Sequence, residues 1–143
     1  MYHQYREGYI EVICGCMFAG KTEELIRRIN VLSYAKQKIL VFKPKIDDRY
    51  SEIEIASHSG RKVPCFAIDD PEEILDKVTD DVQVVAIDEV QFFDDNIVDV
   101  AIDLADQGIR VIAAGLDMDF KGEAFGPTPR LLAVSEFVDK IQA

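Results

Sequence analysis

The chain reads as an α/β fold, a parallel sheet with helices on both faces. Two observations carry this. Five short runs rich in Ile, Val and Ala alternate with four segments of helical pattern, and that alternation needs crossover helices. The two segments most suited to chemistry both leave strands at the same edge, where an open parallel sheet binds its ligand.

The elements follow in order. Tyr9–Cys14 reads as a first strand, with Ile and Val at its β-branched positions. A glycine-bearing loop leads into a helix from about Lys21 to Lys36, where Leu25, Ile29 and Leu32 line one face. Lys38–Lys43 reads as a buried strand stopped by Pro44. Lys45–Gly60 is polar and without period, an ordered loop or a flap. Val63–Ile68 is a short strand. Asp70, Pro71 and Glu73 then form a helix start in which Asp70 caps and Glu73 completes the capping box; the helix runs to about Val78.

Val82–Ile87 is an apolar strand ending in Asp88-Glu89. A helix over 95–106 stops at Gly108. Arg110–Gly115 is the fifth strand, and Leu116–Pro129 a long loop. Leu131, Val134, Phe137, Val138 and Ile141 recur at helical spacing and predict a final helix.

Composition bounds the function. The 143 residues hold 16 basic and 27 acidic side chains, a net charge of −11. That balance argues against a protein whose task is gripping nucleic acid, which needs clustered Lys and Arg. No apolar run approaches the ~18–20 residues that span a bilayer, and Met1–Tyr9 lacks the apolar stretch of a signal peptide. Cys14, Cys16 and Cys65 form no C-x-x-C pair, so neither a disulfide framework nor a zinc site is read, and a reducing, cytoplasmic setting fits best. One domain over residues 1–143 is expected at this length.

Gly15-Cys-Met-Phe-Ala-Gly-Lys21-Thr22 has the spacing G-x-x-x-x-G-K-[ST]. Its glycines let successive N–H groups converge on a phosphate. Lys21 adds a charge for the β and γ phosphates, and the Thr22 hydroxyl suits Mg²⁺. The helix that follows aims its positive end at the same anion. In this company the acidic strand end gains meaning: Asp88 takes the metal side, and Glu89 stands where it can accept a proton from an attacking hydroxyl or water. Gln91 reads as a hydrogen-bonding residue or a loop cap. Of Phe92 and Phe93, one is expected in the core. Arg49 and His58 are weaker candidates, and the cysteines beside Gly15 read as packing.

Taken together, Gly15–Arg28, Phe42-Lys-Pro44, Asp47-Asp-Arg-Tyr-Ser51, Ser57-His58, Ile87-Asp-Glu-Val-Gln-Phe-Phe93, Gly115-Leu-Asp-Met-Asp-Phe120 and Phe125-Gly126 resemble the type II, cellular-type thymidine kinases over about residues 9–143. The resemblance implies a P-loop NTPase core of RecA-like type, and transfer of the γ-phosphate of ATP to the 5′-hydroxyl of thymidine or deoxyuridine. It implies Glu89 as the proton acceptor, and Thr22, Asp88 and Asp47 on the Mg²⁺ side. The ATP-contacting set is Gly15, Cys16, Met17, Phe18, Ala19, Gly20, Lys21, Thr22, Asp88, Gln91 and Arg49. Met17, Phe92, Leu116, Phe120 and Phe125 match the thymidine pocket. Partners implied are thymidine and ATP, in a cytoplasmic homotetramer that touches neither nucleic acid nor membrane. Ala19 stands where the family usually has Ser, and Cys16 and Ala124 where Pro is frequent.

Family members continue past the position of Ala143 into a zinc-binding domain, which also carries a loop that grips thymidine. The expectation is that structural Zn²⁺ belongs only to that domain, with no zinc ligands in these residues, and that the pocket formed here is open on one side. A small phosphate-loop ATPase, with Glu89 orienting water, and a nucleotide-binding module without activity are the alternatives.

Overall fold

A computed structural model of the chain describes residues 8–16, 20–45, 54–56, 60–118, 121–123 and 126–141. Its centre is a six-stranded sheet in which every neighbouring pair runs parallel. The strands are β1 (Tyr9–Gly15), β2 (Ile39–Pro44), β5 (Phe66–Ile68), β6 (Val84–Ile87), β7 (Arg110–Leu116) and β8 (Phe137–Ile141), in the spatial order β5-β2-β6-β7-β1-β8. A separate antiparallel pair joins β3 (Glu54–Ala56) to β4 (Lys62–Pro64).

The sheet is covered on both faces, as the alternation of elements requires. Helix α1 (Lys21–Tyr34) and the β3–β4 pair cover one face, burying Leu25, Ile26, Ile29, Ile55 and Val63 against Ile13, Val41, Val84 and Ile112. Helices α2 (Glu72–Lys77), α3 (Asn96–Asp106) and α4 (Thr128–Val134) cover the other with Ile74, Ile97, Ala101, Leu104 and Leu131. The central strands are apolar on both faces: Val84–Ile87 is buried at every position, the pattern of a fully covered parallel strand.

Local signals hold at several ends. Asp70 Oδ1 accepts the Glu72 N–H at 3.0 Å while Glu73 Oε2 accepts the Asp70 N–H at 2.9 Å, the reciprocal capping expected of that sequence. α3 ends at Asp106, and the Gly108 N–H returns to the Ala105 carbonyl at 3.0 Å. α1 ends at Tyr34, two residues before the expected Lys36. There Lys36 turns left-handed at φ 63°, and the Gln37 N–H closes onto the Leu32 carbonyl at 3.1 Å, a Schellman closure.

Four expectations are corrected. Lys45–Gly60, expected as a loop or flap, contains the strand β3, which its antiparallel partner β4 holds. The expected strand Val63–Ile68 is two strands that break at Cys65: β4 pairs with β3, while β5 pairs with β2. Pro64 has no N–H to give a ladder, and the chain changes sheets just after it. Pro44 does not stop β2 but is its last residue, opposite Ile68 on the strand beside it. The final helix ends at Val134, and Phe137–Ile141 is the edge strand β8 along β1. Glu136 makes the switch: its N–H donates to the Ile10 carbonyl at 2.9 Å, and its Oε1 accepts the Ile10 N–H at 2.9 Å. An apolar run that fits both periods is settled by the partner beside it.

Candidate active site

The phosphate loop and the acidic strand end rise from β1 and β6, which are not neighbours. β7 lies between them. α1 spans the gap, because its first turn sits over the carboxyl ends of the strands. The Thr22 hydroxyl, on that turn, donates to Asp88 Oδ2 at 3.1 Å. Asp88 is 4 % exposed. Its Oδ1 accepts its neighbour Glu89's N–H at 2.9 Å, and its own N–H donates to the Phe42 carbonyl at 2.9 Å. Burial, and then the charge of Glu89, push its carboxyl up to about 6, against the two hydrogen bonds that favour the anion. A buried carboxylate in that condition, beside a hydroxyl, is a fitting pair of oxygen ligands for a divalent cation.

Lys21 opens α1. Gly20 precedes it at φ 92°, a left-handed conformation open to glycine at little cost. Lys21 Nζ donates to the Cys16 carbonyl at 2.6 Å, and burial lowers its pKa. With a phosphate in the loop, that ammonium has an anion to meet in place of a carbonyl dipole.

Glu89 is half-buried and holds φ 51°, ψ 42°. A left-handed, non-glycine residue at a site's centre stores strain of about 1–3 kcal/mol. The strain comes from the turn it begins: the Phe92 N–H donates to the Glu89 carbonyl and the Phe93 N–H to that of Val90, both at 3.1 Å. This single 3-10 turn, Val90–Phe92, swings the chain away from β6. It buries Phe93 at 5 % exposure and leaves Phe92 at 47 %, so the aromatic expected in the core is Phe93.

Gln91 points inward. It is 7 % exposed, and its Oε1 accepts the Leu116 N–H at 3.1 Å. Leu116, the half-buried last residue of β7, thereby joins the site's edge. One signal had no role assigned from sequence. Asp117, next along the chain, is 8 % exposed and pairs through Oδ2 with Lys140 Nζ at 2.9 Å. The clue was available: a carboxylate directly after a strand at this sheet edge. Burial, and then the charge of Asp117, raise the pKa of Cys14, in keeping with Cys14 as packing, whereas Cys16, also expected to pack, is exposed. Cys65 is likewise pushed up to about 11 by burial.

Of the sequence-derived candidates, the structure brings Gly15, Cys16, Gly20, Lys21, Thr22, Asp88, Glu89, Gln91, Phe92 and Leu116 to the carboxyl edge of the sheet. Met17, Phe18, Ala19, Asp47, Arg49, His58, Phe120 and Phe125 lie outside the described residues. Among the described residues, no group of three or more His, Cys, Asp or Glu side chains is arranged to hold a metal ion by itself, and no helix is long and apolar enough to cross a membrane.

The Legionella pneumophila ATPase DotB superposes with a TM-score of 0.52 at 17 % identity, over 90 % of this chain and 34 % of that one. The Pif1 helicase from Candida albicans superposes at 0.53 and 16 % identity, over 98 % of this chain and 37 % of that one. The chain thus spans little more than a third of these structures, and at such identity the likeness is one of fold alone: a parallel sheet with helices on both faces. Sequence is more specific. The family described as thymidine kinase matches from residue 8 to residue 143, taking in the phosphate loop, the Asp88-Glu89 strand end and β7, and on that match the chain belongs to the thymidine kinase family.

Proposed function

We propose that the chain carries the catalytic domain of an ATP-dependent kinase that phosphorylates the 5′-hydroxyl of thymidine or deoxyuridine. The observation that carries it is the meeting of Lys21, Thr22, Asp88 and Glu89 at one sheet edge, with Thr22 bonded to Asp88 across an intervening strand. Thr22 and Asp88, with Asp47, would hold Mg²⁺, which when bound neutralises phosphate charge. The loop N–H groups from Gly15 to Thr22 orient the triphosphate, with Arg49 assigned to the same side by resemblance. Lys21 stabilises charge on the transferring group. Glu89 accepts the proton of the 5′-hydroxyl, a role worth typically ~10²–10⁴-fold. Met17, Phe92, Leu116, Phe120 and Phe125 form the acceptor's walls.

The wider reading follows the family: pyrimidine deoxynucleoside salvage for DNA synthesis, in the cytoplasm, as a homotetramer, with no nucleic-acid or membrane partner. The net charge of −11 supports the absence of a nucleic-acid track. Self-association is supported by large apolar side chains left exposed on α1 and β8: Val31, Tyr34, Phe137 and Val138, at 55, 89, 60 and 49 %. Structural zinc, where the family has it, belongs to the segment after this domain.

A product-resolved assay with Mg-ATP and thymidine tests the reading. Thymidine monophosphate formed in step with ADP is the expected result. ADP without monophosphate identifies a hydrolase, and the absence of both products a domain that only binds nucleotide.

A further inference from the structure

The hydrogen bonds between β6 and β7 stop at the register pair Ile87 and Ala113, whereas β7 continues along β1 to Leu116. Beyond Ala113 the β6-facing backbone of β7 has lost its strand partner. Gln91 supplies a substitute: its side-chain carbonyl takes the Leu116 N–H at 3.1 Å. The amide lies on the turn that begins at Glu89, two residues away. That turn is internally bonded and anchored by Val90, which is 0 % exposed.

Two glycines show how closely this turn is seated. A Cβ on Gly115 would stand 2.6 Å from Val90 Cγ1 and 2.7 Å from Gln91 Oε1. A Cβ on Gly126, itself at φ +56°, would run into the Gln91 carbonyl oxygen. The end of β7 and the approach to α4 are both stripped of side chains where they meet residue 91. Packing of that kind fixes position more tightly than one hydrogen bond can.

We propose that Gln91 is a positioning residue for the transfer reaction: its amide locks the Glu89-bearing turn to the Leu116 backbone and holds the proton acceptor in register with the wall of the acceptor pocket. The proposal rests on the kinase reading, in which Glu89 is the base and Leu116 lines the nucleoside site. It separates Gln91 from the ATP-contacting set. A residue that orients base against acceptor affects the acceptor's KM and kcat, and leaves nucleotide affinity alone.

The test is steady-state kinetics of Gln91→Leu with thymidine as acceptor, alongside the Kd of Mg-ATP and hydrogen exchange at the Leu116 amide. The expected result is a kcat/KM for thymidine lower by about 10–100-fold, a Mg-ATP Kd within about twofold, and Leu116 exchange faster by at least about tenfold. Gly115→Ala, whose Cβ presses on both Val90 Cγ1 and the Gln91 oxygen, displaces the same turn without altering residue 91; it should give the same split, and it stands in if the leucine variant fails to fold. Unchanged thymidine kinetics with accelerated exchange overturn the proposal. So does Mg-ATP affinity falling in step with thymidine, which puts Gln91 on the nucleotide. Wild-type protein that releases ADP but no monophosphate refutes the kinase reading itself, and the positioning role with it.

Discussion

Replacing Asp88 by Asn is expected to stabilise the ligand-free protein at neutral pH. Asp88 is 4 % exposed, and its carboxyl rises from 3.8 to about 6 in the fold, through burial first and the Glu89 charge second. The native state therefore holds this proton more tightly than the unfolded chain. Its contribution to stability is fully present below pH ~4, falls as pH rises to about 6, and is gone above that. Two units at about 1.4 kcal/mol each set an upper bound of roughly 3 kcal/mol of destabilisation at pH 7. Asn keeps the shape and both contacts: Oδ1 accepts the Glu89 N–H, and Nδ2 donates to Thr22 Oγ1. The gain expected for Asp88→Asn at pH 7 without magnesium is therefore about 1–3 kcal/mol, or about 3 °C of Tm per kcal/mol in a chain of this size. Urea denaturation of both proteins in EDTA from pH 3.5 to 8 measures it. The gap between the curves should open from near zero at pH 3.5 to its full size by pH 7. A variant less stable than wild type at pH 7, or a gap independent of pH, refutes the reasoning.

Glu89→Gln should retain Mg-ATP binding and lose at least about 10²-fold in phosphoryl transfer, read by product-resolved turnover, while Glu89→Gly, relieved of its left-handed strain, should also gain about 1 kcal/mol in urea denaturation. Lys21→Ala should weaken Mg-ATP binding by at least about tenfold and depress turnover as well; unchanged affinity by titration calorimetry would count against the phosphate loop. Lys36→Gly, at φ 63° after α1, should raise stability by about 1 kcal/mol without touching turnover, which separates backbone strain at a cap from strain at the site. Glu11 is 5 % exposed and holds both Arg28 and Arg110. Glu11→Ala should cost about 2–3 kcal/mol in denaturation, at the lower end for a buried pair because both arginines keep some solvent.

What the sequence determined by itself was local chemistry and local geometry. Gly20-Lys21-Thr22 after an apolar strand and before an amphipathic helix specifies a phosphate loop, because the glycine supplies a conformation other residues resist and the helix supplies its free N–H groups. Asp70 and Glu73 specify a helix start through side chains only three residues apart. Val84–Ile87 announces a central strand by being apolar throughout.

What the tertiary structure decided was adjacency. Nothing in the order of residues states that β7 lies between β1 and β6, or that α1 brings Thr22 across it to Asp88. Phe137–Ile141 carries apolar residues that suit a helix as well as a strand, and β1, with Ile10 bonded to Glu136, resolves the choice. Gln91 is one polar side chain in a run of plausible roles until the β6–β7 ladder ends and leaves the Leu116 N–H to be met. These outcomes depend on contacts between residues 25 to 126 positions apart, which only the packed sheet brings within hydrogen-bond reach; a hydrogen bond donor left without a strand partner takes whatever acceptor the fold delivers to it.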